Sequence, residues 1–170
     1  MKIYIGLSQP TGKFAPFADL IKWVEARPYD HCYVRLQEPM NAQYVIFQAS
    51  KSQVNVYNKD IWQKSNAPFK EYEIEITEDQ YKVLWTFVIK NLGIPYSLKE
   101  DFGILLMKIF KLKTNPFDAG MSVAFCSQLG ATVCKNLGID IPYEASSVDP
   151  SLLDQLLINA KLPMIMFPKF

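Results

Sequence analysis

The order of periodicities along the chain predicts an α+β fold, an antiparallel sheet packed against helices. Runs rich in Tyr, Val, Ile and Phe crowd together over residues 31–37, 43–49 and 53–57, with another at 69–76. Beyond residue 77 the apolar spacing turns helical, interrupted by a loop over 111–120 and an irregular stretch over 139–147. No internal repeat, low-complexity tract or linker interrupts the 170 residues, so a single domain over 1–170 is expected, long enough to bury a real core.

Residues 2–7 read as a first strand that breaks at Ser8-Gln9-Pro10-Thr11-Gly12. A short helix is expected over 16–27, with Phe17, Leu20, Ile21, Trp23 and Val24 as its apolar positions. The three close-spaced strands follow, separated by turn residues. In the run 69–76, Tyr72, Ile74 and Ile76 alternate with Glu71, Glu73 and Glu75, and the glutamates are expected on a solvated face. Thr77-Glu78-Asp79-Gln80 is a capping box, and Tyr81, Leu84, Trp85, Val88 and Ile89 form the apolar stripe of the helix it opens. A second box, Ser97-Leu98-Lys99-Glu100, opens another helix through Leu105, Leu106, Ile109 and Phe110. Asp149-Pro150 is a cap with proline at the first helical position, and Leu152, Leu153, Leu156 and Leu157 complete that helix. The tail over 162–168 carries Pro163 and Pro168, which restrict it to an edge strand.

Composition narrows the function. Hydrophobic residues make up 49%, charged residues 21%, and the formal net charge is +1, which excludes a disordered chain and an electrostatic nucleic-acid binder. The three cysteines lack any CxxC or Cys/His zinc spacing, so neither a disulfide framework nor a metal site is expected, and no organic cofactor is implied. The apolar run at the N-terminus is too short for a signal peptide. The run 102–110 is interrupted by Lys108 and is far shorter than the roughly 18 apolar residues of a membrane span. A cytoplasmic or virion-associated protein without a transmembrane segment is the resulting expectation.

The chemistry centres on residues 123–138. Leu129, Val133 and Leu137 recur at helical spacing, and Gly138 stands where helices commonly stop. Cys126 continues the stripe back into the first turn, where unpaired N–H groups and the helix dipole favour thiolate and suit a nucleophile. A cysteine in an apolar stripe is by itself ordinary core, as Cys134 illustrates. What separates the two is a base, and the chain has one histidine, His31. If 31–36 and 43–48 form a hairpin, pairing Leu36 with Gln43 sets His31 opposite Gln48, whose amide oxygen can accept from one ring nitrogen while the other faces the thiol. A neutral amide is adequate to orient the ring. Cys32 points to the other face of the strand, whereas Tyr33 and Arg35 share the face of His31 and are candidates to line the cleft. Ser127, turned about 100° from Cys126 on a helix, is expected to cap or pack.

The motif order resembles the circularly permuted NlpC/P60 cysteine hydrolases of the papain-like superfamily, the group that includes the YiiX-like proteins. The resemblance rests on Asp30-His31-Cys32-Tyr33-Val34, Val45-Ile46-Phe47-Gln48-Ala49, Gly93-Ile94-Pro95-Tyr96, Phe125-Cys126-Ser127-Gln128-Leu129 and Val148-Asp149-Pro150-Ser151-Leu152-Leu153, in that order over most of the chain. It implies a permuted papain-like fold with Cys126 as nucleophile, His31 as base, Gln48 as orienting residue and Tyr96 beside the substrate. Asp30 replaces the family's usual serine, Gln128 a glutamate, and Gln48 stands where many members carry glutamate. The last change leaves an imidazolium less stabilised. Lecithin-retinol-acyltransferase-like proteins share the permuted order, but their Asn-Cys-Glu-His-Phe-Val signature is missing here.

Three readings follow from the resemblance. One is a hydrolase of amide or peptide bonds, with peptides or peptidoglycan fragments as substrates. Another is a lipid acyltransferase or thioesterase, which calls for an apolar groove for an acyl substrate, with Phe102, Leu105, Leu106 and Ile109 as candidate lining. The third is a catalytically inactive protein that keeps the fold for binding or structure.

Overall fold

The structure is a computed structural model that describes residues 1–11, 27–50 and 52–168. Strands β1 (Lys2–Pro10), β2 (His31–Gln37), β3 (Tyr44–Ser50), β4 (Gln53–Asn58), β5 (Asn66–Glu75) and β6 (Met164–Met166) form one six-stranded sheet in the order β4-β3-β2-β1-β5-β6. Every neighbouring pair is antiparallel. The helices are α1 (Lys59–Trp62), α2 (Glu78–Asn91), α3 (Leu98–Phe110), α4 (Cys126–Asn136) and α5 (Pro150–Asn159). The helix expected over 16–27 lies, apart from Arg27, outside the described residues.

Alternation along the strands sorts the sheet into two buried faces. Ile3, Ile5 and Leu7 of β1, Cys32, Val34 and Leu36 of β2, and Phe47 and Ala49 of β3 line the larger core, together with Leu84 and Val88 of α2, Leu129, Val133 and Cys134 of α4, and Leu153 and Leu157 of α5. α4 lies against β2 and β3. Gly130 makes that approach possible: a Cβ there would stand 2.6 Å from Cys32 Sγ and 3.1 Å from Leu153 Cδ2. α2 is hung from the far end of β2, with Tyr81 Oη and Trp85 Nε1 both donating to the Gln37 carbonyl, at 2.6 and 3.2 Å. Its capping box is formed, Thr77 N–H donating to Gln80 Oε1 and Gln80 N–H to Thr77 Oγ1.

The second face holds a smaller cluster of Tyr33, Ile46 and Trp62. The glutamates of β5 are not uniformly solvated as the alternation suggested. Glu71 is 2% exposed and grips Arg35, whose Nε and Nη2 donate to its two oxygens at 2.8 and 2.5 Å, while Tyr33 Oη donates to Oε1 at 2.9 Å. The Arg35 guanidinium lies over the rings of Tyr4 and Tyr44. A strand-face glutamate becomes buried when a bidentate partner reaches it, here from β2 across the intervening β1.

Other boundaries also differ from the sequence pattern. β1 does not stop at Leu7 but runs on to Pro10 through an irregularity between Leu7 and Ser8, because β5 continues to pair with it as far as Asn66. The Ser97 box is half-formed. Ser97 Oγ caps Glu100 N–H, but the Glu100 carboxylate reaches across to Ala119 N–H at 2.7 Å. β6 does sit at the sheet edge, on β5.

α5 is pinned to the sheet by Asp154, fully buried, which accepts from Tyr29 Oη at 2.5 Å, Lys70 Nζ at 2.7 Å and Tyr72 Oη. Because Tyr29 lies two residues before the start of β2, this cluster also holds the entry of the strand that carries His31. Buried charges this well partnered add little net stability, but leaving one alone typically costs about 3–5 kcal/mol.

Gly6 faces Tyr33 across β1 and β2, and a Cβ at Gly6 would stand 2.1 Å from Tyr33 Cζ. Gly6→Ala therefore displaces the ring from beneath Trp62, with an expected loss of about 1–3 kcal/mol in urea unfolding, the usual cost of overpacking.

Candidate functional site

The first turn of α4 is positioned by a short parallel bridge between Tyr96 and Ala124. Ala124 N–H donates to the Pro95 carbonyl and Ser97 N–H to the Ala124 carbonyl, both at 3.0 Å. Phe125 takes the N-cap position with extended backbone and has no side-chain acceptor to offer. Gln128 reaches back instead, its Oε1 accepting from Phe125 N–H at 3.3 Å and its Nε2 donating to the Gly120 carbonyl at 3.1 Å. α2, α3 and α5, by contrast, are capped by Thr77, Ser97 and Asp149. Cys126 is thus the first residue of a helix whose opening N–H groups are not covered by an N-cap side chain.

The thiol is 4% exposed. Sequence position favours thiolate, but burial pushes the Cys126 pKa up, and the Asp101 and Asp30 carboxylates add to the rise. The N–H groups of Cys32 and Ser127 pull the other way and are outweighed. The expected depression by the helix start is therefore reversed: desolvation of a thiolate costs more than a few partial charges return. The contact with Cys32 places the sulfur against the backbone of the residue that follows His31. Cys134, buried in the core, is pushed up to about 12 by burial. Ser127 is fully buried, and its hydroxyl has no hydrogen-bond partner among the described residues, so it packs without capping.

His31 opens β2, and its Nε2 lies 2.7 Å from Gln48 Oε1. The register that brings them together is shifted by two residues from the expected one: Leu36 pairs with Val45 and Gln37 with Tyr44. A shift of two preserves the face, so His31 and Gln48 meet diagonally instead of directly opposite. Trp62 Nε1 donates to the same Gln48 oxygen at 2.8 Å. An indole N–H is a donor only, so the atom it meets is the amide oxygen, and the His31 nitrogen facing that oxygen carries a proton. The Gln48 Nε2 is taken by Ser50 Oγ at 2.8 Å and Asn55 Oδ1 at 3.3 Å. With Nε2 protonated, neutral His31 keeps its lone pair on Nδ1. Burial lowers the His31 pKa below its usual value, and the Gln48 bond offsets part of that. The imidazole is accordingly neutral, the state a base requires.

The remaining candidates have different places. Tyr33 is 1% exposed, with its ring 4.6 Å from that of Trp62 and its hydroxyl committed to Glu71. Arg35 is clamped by the same carboxylate. Both share the His31 face as expected, yet they form the packed floor of that face and do not line an open cleft. Tyr96 lies beside the thiol and donates its hydroxyl to Asp101. Burial raises the Asp101 pKa to about 7, against the lowering effect of the Tyr96 bond. Of the proposed acyl-groove residues, Leu105 is buried in the core and Phe102 and Ile109 point outward.

Trp62 and Asp101 escaped the sequence reading. Trp62 had a local signal: Asn58 Oδ1 accepts from Asp60 and Ile61 N–H to start α1, which leaves one large aromatic in a polar segment. Asp101 stands in the first turn of α3, and nothing in the adjacent sequence announces the thiol. Among the described residues no group of three or more His, Cys, Asp or Glu is placed to hold a metal ion.

The architecture defines a class of α+β protein in which an antiparallel sheet carries the histidine and the helix packed on it opens with a cysteine. Among solved structures it is similar to one described as the metalloprotein yiiX from Escherichia coli O157:H7, with a TM-score of 0.52 and 16% sequence identity over 91% of this chain and 77% of that one. The likeness is one of fold. No family model matches the sequence. No curated protein matches it either.

Two outcomes test these electrostatics. Gln48→Glu places a carboxylate on Nε2–H and is expected to raise the His31 pKa from below 6.5 to above it, read by imidazole NMR titration. Asp101→Asn removes the charge that ionises near pH 7 beside the sulfur. The Cys126 thiol should become more acidic, with iodoacetamide modification at pH 8, followed by peptide mass spectrometry, about threefold faster for each unit of pKa lost. The gain in thiolate is partly offset by its lower nucleophilicity.

Proposed function

We propose that the chain, acting as one domain, is a cysteine hydrolase of amide or peptide bonds, with peptidoglycan fragments the first substrates to examine. The observation that supports this reading is the His31, Gln48 and Trp62 arrangement: it favours the imidazole tautomer with its lone pair on Nδ1, and Cys32, the residue after His31, has its backbone against the Cys126 sulfur. His31 and Cys126 approach β2 from opposite faces, so the reaction requires the ring, on the first residue of the strand, to reach past the strand end to the sulfur. Nδ1 then takes the thiol proton as sulfur attacks the carbonyl carbon. The oxyanion forms near the Cys126 N–H, and the C–N bond breaks as His31 returns the proton to the leaving amine. Water then attacks the thioester, giving a proton to His31 and finally restoring the thiol. Gln48 holds the ring angle throughout, and Tyr96 flanks the carbonyl.

The buried, high-pKa thiol favours a second reading, a fold retained without catalysis. A thiol-reactive acyl probe separates them. Catalysis requires labelling of wild type, its abolition in Cys126→Ala and its persistence in Cys134→Ala, with amines released from peptidoglycan fragments by wild type alone. A wild type that neither labels nor cleaves leaves the non-catalytic reading, and labelling that survives Cys126→Ala removes the assignment of the nucleophile.

A further inference from the structure

Among the described residues, none of the core covers the outer surface of α3. Leu98, Phe102 and Ile109 fall on one stripe at steps of four and seven residues, and each is exposed, as are Phe110 and Leu112 beyond them. Lys99, Lys111 and Lys113 are exposed between and after them. The acids of this segment are turned inward, Glu100 to 1% and Asp101 to 8% exposure, so the outward side of residues 98–113 presents large apolar groups and cations without a carboxylate. Phe117, half-buried, borders the patch: its ring stacks on Phe102, and Lys99 Nζ lies 5.0 Å from its centre, while the exposed Asp118 that follows marks where the carboxylate-free surface ends. A hollow of about 450 Å³ adjoins the same end of α3, its apolar wall formed by Ile104, Met107, Leu112 and Leu152 and its polar wall by Lys108 and Lys113 with Asp149, whose carboxylate is paired with Lys108 at 3.1 Å.

We infer that this face of α3 and the turn after it dock on a lipid bilayer bearing anionic headgroups. Lysines among exposed Phe, Ile and Leu suit the boundary between headgroups and acyl chains, where apolar side chains enter and lysine stems extend back to phosphate. A protein partner is the poorer fit, because protein interfaces are depleted of lysine where their aromatic residues cluster. A nucleic acid offers no place for Ile109, Phe110 and Leu112 together. The inference goes beyond the proposed chemistry, and its test reads no activity.

The test is co-sedimentation of the full chain with vesicles of phosphatidylcholine alone or with about 30% phosphatidylglycerol, in low salt and in about 0.5 M salt. The protein should bind the anionic vesicles at least about tenfold more tightly than the neutral ones. Each lysine near an anionic surface contributes on the order of fivefold, so Lys111→Glu with Lys113→Glu should cost about 25-fold or more at low salt. Phe110→Ser with Leu112→Ser should remove the binding that persists in high salt. All four side chains are exposed, so unchanged circular dichroism and Tm are expected for both variants. Equal affinity for neutral and anionic vesicles, variants that bind like wild type, or a patch that drives self-association in sedimentation velocity without vesicle binding would each overturn the inference.

Discussion

How closely α4 can approach β2 governs the rest of the structure. Gly130 has no Cβ to strike Cys32 Sγ or Leu153, so the helix settles directly on the strand with α5 closing over it. Cys126 is one turn earlier on the same side of the helix as Gly130, so the contact that seats the helix also carries the sulfur to the backbone at the start of β2. A larger residue at Gly130 would lift the whole N-terminal turn, with the thiol on it. The bridge between Tyr96 and Ala124 fixes the other coordinate of that turn and brings Asp101 and Tyr96 to the thiol.

The opposite face of the sheet holds the imidazole steady by a different means. There the buried groups are polar, and each bond removes a freedom from the next. Trp62 fixes the Gln48 oxygen, Gln48 fixes the proton of His31, and Tyr33 supports Trp62 while itself tied to Glu71 and Arg35. Such networks give little net stability, since the desolvation of each member offsets most of its bonding, but they allow few alternative geometries. In the proposed reaction this rigidity offsets the lack of a charged orienting residue. Gln48 cannot stabilise an imidazolium as a carboxylate would, and burial of both His31 and Cys126 favours the neutral pair at rest. The nucleophile then arises by proton transfer during attack, not as a standing ion pair.

The sequence was most legible where one helix or strand decides its own form. Thr77 and Gln80 close their box because both partners lie within a single turn, and Asp149-Pro150 starts α5 for the same reason. The pairing of His31 with Gln48 was legible as chemistry, since a lone histidine on one strand and an amide on the next can share a face. The register itself was missed by two residues, because the loop beyond Gln37 hides where pairing begins and a shift by two leaves the alternation unchanged. Glu71 and Asp154 were misread or missed for a common reason. Each is a carboxylate whose burial depends on cations and phenols distant in sequence.

Taken alone, the order of residues determined the α+β class, the order of most elements, the pairing of a cysteine with a helix start and the identity of the one imidazole available to it. These follow from periodicity, capping and count, which are local or additive properties. Only the tertiary structure decided that the thiol is buried and held protonated beside Asp101, that Trp62 sets the histidine tautomer, and that Tyr33 and Arg35 serve the packed floor of the sheet. Those outcomes depend on desolvation and on contacts between distant segments, and neither quantity exists until the chain has closed on itself.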